Sequence, residues 1–289
     1  MVKDTFFGKK RTLPFGGRLC SIDPPWVIGV LNVTPDSFYQ DSRIMNRDLL
    51  LERAGEMLEE GASALDIGGY SSRPGADHIS EEAERERVIP AIEILRGAYP
   101  DAILSVDTFR ASIAEEAVQH GADMVNDVSG GVLDPTMMDR TAELGVPYVL
   151  MHMPGTPQDM QQRTGYDNVT DEVLYFLSER CRKAREKGVN DLIIDPGFGF
   201  GKSLEQNYRL LKELESFKEL GLPLLVGLSR KSMVWRKLEL NPEEALNGTT
   251  AIHSLALQRG ADILRVHDVR EAVEAVKILK FDRNAGHFE

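Results

Sequence analysis

Short apolar runs rich in β-branched residues recur along the chain at 26–32, 64–69, 103–108, 124–128, 148–152, 192–196, 224–229 and 263–268, each ending in polar residues or glycine. Runs of that length and bias predict strands. Between them lie longer stretches with apolar positions three and four apart, at 47–60, 80–96, 110–120, 171–187, 203–217, 243–258 and 269–279, which predict amphipathic helices. Gly61, Gly121, Gly145, Gly188, Gly221 and Gly260 stand where such helices should stop, because glycine enters the left-handed conformation without a Cβ clash. Strand, helix and strand again is the grammar of a βα unit. Eight such units with right-handed crossovers close most simply into an α/β fold of the (β/α)8 TIM-barrel type. A doubly wound open sheet shares the grammar, but no G-x-G-x-x-G follows the first strand; the glycines between Gly197 and Gly201 follow the sixth.

The chain has 289 residues, and α/β barrels run to about 250 residues as one domain. No Pro/Gly/Ser-rich linker or low-complexity run divides it, so the expectation is a single domain over 1–289, with 1–25 as an N-terminal extension and 281–289 as a C-terminal tail after a last helix ending at Leu279. Lysine and arginine number 34 against 46 aspartate and glutamate, a formal charge of −12, which disfavours nucleic-acid and anionic-membrane partners. An anionic substrate must therefore meet a locally positive pocket. The two cysteines, Cys20 and Cys181, form no metal or disulfide pattern and fit a reducing compartment. With no apolar signal core at the start and no run of about 18 apolar residues, the expectation is a cytoplasmic protein.

In a barrel the C-terminal strand ends form the active face. Asn32, Asp66, Asp107, Asn126 with Asp127, His152, Asp195, Ser229-Arg230-Lys231 and Arg265-Val266-His267-Asp268 all fall at or near such ends. Each alone has a structural reading as a cap or a satisfied interior polar group. Together they carry more weight, since unpaired buried charge costs several kcal/mol and is not scattered through a core. Asp107, Asn126, Asp195, Lys231 and Arg265 form the centre of the candidate site. Asp66 reads as an interior hydrogen-bonding scaffold, His78 and His120 as solvated surface residues, and the charged run from Glu81 to Arg87 as an exposed helix face with i,i+4 pairs.

Several segments resemble the dihydropteroate synthase family in order and strand position: Asn32-Val33-Thr34-Pro35-Asp36-Ser37-Phe38, Ser71-Ser72-Arg73-Pro74-Gly75, Ser105-Val106-Asp107-Thr108, Asn126-Asp127-Val128-Ser129-Gly130-Gly131, Met151-His152-Met153, Asp195-Pro196-Gly197-Phe198-Gly199-Phe200-Gly201-Lys202, Ser229-Arg230-Lys231-Ser232 and Arg265-Val266-His267-Asp268-Val269. The resemblance implies condensation of 6-hydroxymethyl-7,8-dihydropterin diphosphate with 4-aminobenzoate, giving 7,8-dihydropteroate and diphosphate in folate synthesis. It implies pterin contacts at Asp107, Asn126, Met151, Asp195 and Lys231, and diphosphate contacts at Asn32, Arg73, Arg265 and His267. It places 4-aminobenzoate near Ser72, Pro74, Phe200, Ser229 and Lys231. Lys231, Arg265, Asp107 and Asp36 become the candidate catalytic residues, Asn32 the contact to Mg²⁺, and a homodimer that is a sulfonamide target the expected state. The chain departs from the family pattern at Tyr39-Gln40-Asp41-Ser42-Arg43, at Tyr70, where an acid is usual, and at Ser72, where threonine is common. Corrinoid-linked methyltransferases also read pterins with Asp and Asn, and a barrel that binds folates without turnover is a third reading.

Overall fold

The computed structural model of the chain describes residues 12–33, 43–71 and 78–284. Eight parallel strands make the barrel: β3 (Trp26–Asn32), β4 (Ala64–Gly68), β5 (Leu104–Asp107), β6 (Met124–Asp127), β7 (Tyr148–Met151), β8 (Leu192–Asp195), β9 (Leu225–Val226) and β10 (Ile263–Val266). Each of β3 to β7 pairs with the next, and β10 lies between β3 and β9. The ring closes where Ile194 bridges Leu224 in parallel and its N–H donates to Pro223 O at 3.0 Å.

The helices between the strands are α1 (Arg43–Glu59), α2 (Glu81–Ala98), α3 (Ala111–Gln119), α4 (Met137–Leu144), α5 (Val169–Glu186), α6 (Leu204–Lys212), α7 (Ser232–Trp235), α8 (Leu246–Gln258) and α9 (Val269–Asn284). Several start on side-chain caps that the pattern marks: Ser80 accepts from Ala83 N–H at 3.1 Å, and Ser203 forms a capping box with Gln206. The six glycines expected to stop helices all have positive φ. Among the described residues no helix is long and apolar enough to cross a membrane.

Four differences from the sequence pattern have physical causes. The predicted strand 224–229 forms a ladder only over Leu225–Val226, with Leu224 in the isolated bridge to Ile194, and the chain turns at Arg230, whose N–H donates to Thr249 Oγ1 rather than to a ladder partner. The predicted helix 203–217 divides into α6 and a 3-10 stretch, Leu214–Leu220. The helix α4 is short enough to escape a periodicity reading, although Gly145 marks its end. The last helix runs on through Asn284, past Leu279.

Residues 12–25, outside the barrel by pattern, contribute a hairpin of β1 (Thr12–Phe15) and β2 (Arg18–Ser21). Leu13, Phe15 and Ile22 pack against Trp26 and the inward-facing Ile28, Ala64, Met124, Val149, Ile193, Leu225 and Ile263. The hairpin is thus a plug over the barrel's apolar floor. The alternate residues of the same strands, such as Val27, Leu65, Val125, Leu150, Ile194 and Leu264, face the helices in a second, larger core. Leu13 has no exposed surface, whereas Leu19 on the facing strand is 77% exposed. Leu13→Ala is therefore expected to lower unfolding free energy by about 2–5 kcal/mol, and Leu19→Ala by less than about 0.5 kcal/mol, measured by urea denaturation.

Candidate active site

Strand side chains alternate faces, so the residue two past each floor residue also points into the barrel, one pleat nearer the C-terminal mouth. They include Asp66 above Ala64, Asn126 above Met124, Met151 above Val149, Asp195 above Ile193 and Arg265 above Ile263, with Val30 and Gly227 above Ile28 and Leu225. Asp107 joins them from β5, two past the buried Ser105. The apolar floor changes to a polar layer within a single pleat.

Arg265 organises one side of this layer. Its Nε donates to Asp66 Oδ2 and its Nη2 to Asp107 Oδ2, each at 2.5 Å. The same Asp66 oxygen accepts Asn126 Nδ2 at 2.9 Å. Because a carboxylate only accepts, that bond fixes the Asn126 amide with its NH2 toward Asp66. Burial pushes the Asp107 carboxyl up to about 7 against the pull of Arg265. The expected scaffold role of Asp66 is what its contacts give it.

On the opposite side, Asp195 Oδ1 accepts Gly197 N–H at 2.7 Å, and burial raises its pKa while Lys231 opposes the shift. Lys231 donates to Phe198 O and lies 4.6 Å from the Phe200 ring centre. Burial lowers the Lys231 ammonium to about 8, with Asp195 restoring part of the loss. The segment that allows this needs glycine twice. Gly197 has φ +70, and a Cβ there would lie 2.0 Å from His152 O. Gly199 has φ +80, and its Cβ would meet the Lys231 stem at 3.0 Å.

Arg230, with φ +52, spends about 1–2 kcal/mol on a left-handed backbone. Its guanidinium grips Asp268 at 2.8 and 2.9 Å, which offsets that cost and turns Ser229 and Lys231 together toward the mouth. Ser229 Oγ accepts His267 N–H at 3.2 Å, tying the ends of β9 and β10. His267 and Asn32 are half-buried at their strand ends, and Met151 is buried beside Val128 and Met160. Among the described residues no three His, Cys, Asp or Glu side chains gather as metal ligands. Asp36, Ser72, Arg73 and Pro74 lie outside the described residues.

Three residues behave differently from the sequence reading. Asp127 is on the outer face of β6, where Ser129, Gly131 and the Tyr148 hydroxyl donate to it. His152 is buried with Nδ1 3.0 Å from Lys202 Nζ; burial and that ammonium hold it neutral, down to about 2. Glu84 corrects the exposed-face reading of the charged run, having no exposed surface and bonding Thr108 at 2.6 Å and Arg110. Its neighbours Glu81 and Glu82 do pair with Arg85 on the surface. Lys202, not singled out from sequence, is buried and ties the glycine segment through Gly197 O at 2.8 Å and Phe200 O at 3.0 Å. Only its place at the end of a glycine-rich run hinted at such a role.

The Asp107 shift has a sign in stability. Its folded pKa of about 7 lies above the ordinary 3.8, so between those values the folded chain holds a proton that the unfolded chain has lost. Its contribution is full at about pH 4 and is lost as pH rises through about 7. The stability margin of the native chain over Asp107→Asn should therefore shrink between about pH 5 and about pH 8 in urea unfolding, and a margin that widens contradicts the assignment.

The barrel has close counterparts. A family described as pterin binding enzyme matches residues 28–267. Dihydropteroate synthase of Haemophilus influenzae is 41% identical over 270 residues, covering 93% of this chain and 98% of that protein. A structure of Xanthomonas albilineans dihydropteroate synthase with 4-aminobenzoic acid has 43% identity and a TM-score of 0.88, covering 94% of this chain and 98% of that one. The same bacterial enzyme in complex with 7,8-dihydropteroate gives 41% identity and a TM-score of 0.84 over 94% and 98% of the two chains. The chain belongs to the dihydropteroate synthase family of pterin-binding enzymes.

Proposed function

We propose that the polar layer divides the family's reaction between its two sides, the Asp195 side with Asn126 reading the pterin and the Arg265 side receiving the diphosphate. The reaction joins 6-hydroxymethyl-7,8-dihydropterin diphosphate to 4-aminobenzoate, giving 7,8-dihydropteroate and diphosphate in folate biosynthesis. The observation that carries the division is the convergence of Asp107, Asn126, Asp195 and Arg265 on one pleat of the mouth, with Lys231 joining them from the turn after β9. An ionised Asp195 grips the adjacent N–H donors of the pterin edge, its plane held by Gly197. Asn126 keeps its carbonyl and one N–H for the ring, since Asp66 takes the other N–H. Lys231 meets the pterin carbonyl, and Asp107 and Met151 complete the pocket.

Diphosphate departs from the exocyclic methylene, leaving a cation that the pterin ring delocalises. Arg265, His267 and Arg73 hold the anion by charge and hydrogen bonding, and no protein nucleophile is needed. The neutral amine of 4-aminobenzoate then attacks the methylene carbon and, as the C–N bond forms, gives up a proton to solvent; Phe200, Ser229, Lys231, Ser72 and Pro74 position it, with Asp36 beside it. A sulfonamide competes at this end. The donor set suits Mg²⁺ in a limited way: Asn32 offers one hard amide oxygen, so the ion would be held there with substrate oxygens rather than in a protein cage. When bound it supplies positive charge to the leaving group.

The reading includes a cytoplasmic homodimer. Leu238, in the turn after α7, and Leu255 of α8, 49% and 41% exposed, offer apolar surface for a second copy. Purified chain with Mg²⁺ and both substrates should release diphosphate and form dihydropteroate, and omission of either substrate should abolish dihydropteroate. Methyl transfer to a corrinoid would select the alternative class. Asp195→Ala should weaken pterin binding by at least about 100-fold in calorimetry, and unchanged affinity contradicts its assignment.

A further inference from the structure

Tyr70 lies two residues past the end of β4, is 7% exposed, and sits where three strand-end connections meet. Its hydroxyl accepts Gln158 Nε2 at 2.7 Å and lies 3.2 Å from His78 Nδ1. The hydroxyl thus ties its own β4–α2 connection, at His78, to the β7–α5 connection, at Gln158. The ring stands edge-on to Phe109 with centroids 5.1 Å apart, and the Arg110 guanidinium lies 5.6 Å from its centre. Arg110 in turn donates to Ile79 O at 2.7 Å and pairs with the buried Glu84.

Two routes lead from Tyr70 to Phe200. The first runs through Gln158 along the β7–α5 connection, where Gln161 Nε2 donates to Gly199 O at 3.0 Å. That connection lies flush against the glycine segment: a Cβ at Gly201 would come within 2.3 Å of Pro154 and 2.9 Å of Met160 O. The second route is apolar, since Phe109, Met160 and Phe200 share one cluster with Val128 and Met151. Beneath them, Asp195 and Asn126 are held by bonds of their own, to Gly197 and Asp66.

We propose that Tyr70 is a positioning residue for the 4-aminobenzoate end of the site, holding the β7–α5 connection and through it the Phe200 ring. The inference rests on the assignment of Phe200 to 4-aminobenzoate made above. Loss of the hydroxyl removes one neutral hydrogen bond between connections, which corresponds to about a five-fold change in an affinity that depends on their register. The pterin readers do not depend on that register.

Steady-state kinetics of Tyr70→Phe, Gln158→Ala and the double variant test this, with pterin Kd by calorimetry and Phe200→Ala as the control. Each single variant should raise KM for 4-aminobenzoate about five-fold, with kcat and pterin Kd within about two-fold, and the double variant should be no worse than either single one. An unchanged KM, additive losses in the double variant, or an equal loss of pterin binding overturns the proposal while Phe200→Ala still weakens 4-aminobenzoate. If Phe200→Ala leaves 4-aminobenzoate unaffected, the Phe200 assignment fails and this inference fails with it.

Discussion

A single oxygen of Asp66 holds both Arg265 and Asn126 inside the barrel, and the rest of the site is arranged around that constraint. A guanidinium at this depth is sustained only by partners that neutralise it and accept its N–H groups, because burying it unpaired costs several kcal/mol. Asp66 and Asp107 do both, so Arg265 is oriented before any ligand arrives. The shared oxygen makes Arg265 and Asn126 parts of one hydrogen-bonded unit.

The opposite side solves the same problem with backbone. Asp195 stands near Lys231 and Lys202, whose ammonium groups are anchored on the carbonyls of Phe198, Gly197 and Phe200. Three carboxylates and three cations thus share the mouth, and the chain's overall charge of −12 does not extend into it. The glycines at 197 and 199 let the segment approach His152 O and the Lys231 stem, so backbone conformation and site electrostatics are one device. Buried carboxylates raised toward neutrality and lysines lowered toward it show the cost of this concentration of charge.

Much of this was legible in the sequence. The strand runs and their glycine punctuation set the barrel, and position at strand ends selected Asp107, Asn126, Asp195, Lys231 and Arg265. A stricter use of the two-residue period would have put Asp127 on the outer face, since its neighbour Asn126 points inward. Other features depend on tertiary neighbours that no local pattern encodes. Glu84 sits in a run with five other charged residues, yet it is buried because Arg110 and Thr108, from the next βα unit, meet it. Leu13 and Phe15 form a short, unremarkable hairpin whose meaning lies in the barrel floor beneath it. Tyr70 looked like a departure from a family pattern, and only the structure shows the three connections it joins.

The central claim is that Asp66 couples Asn126 and Arg265, and the most direct measurement is a double-mutant cycle. Binding of the pterin diphosphate to Asn126→Ala, Arg265→Met and the combined variant should be non-additive by about 1 kcal/mol or more. Repeated with Asp66→Asn present throughout, the same cycle should become additive. Additive losses with Asp66 in place would contradict the account.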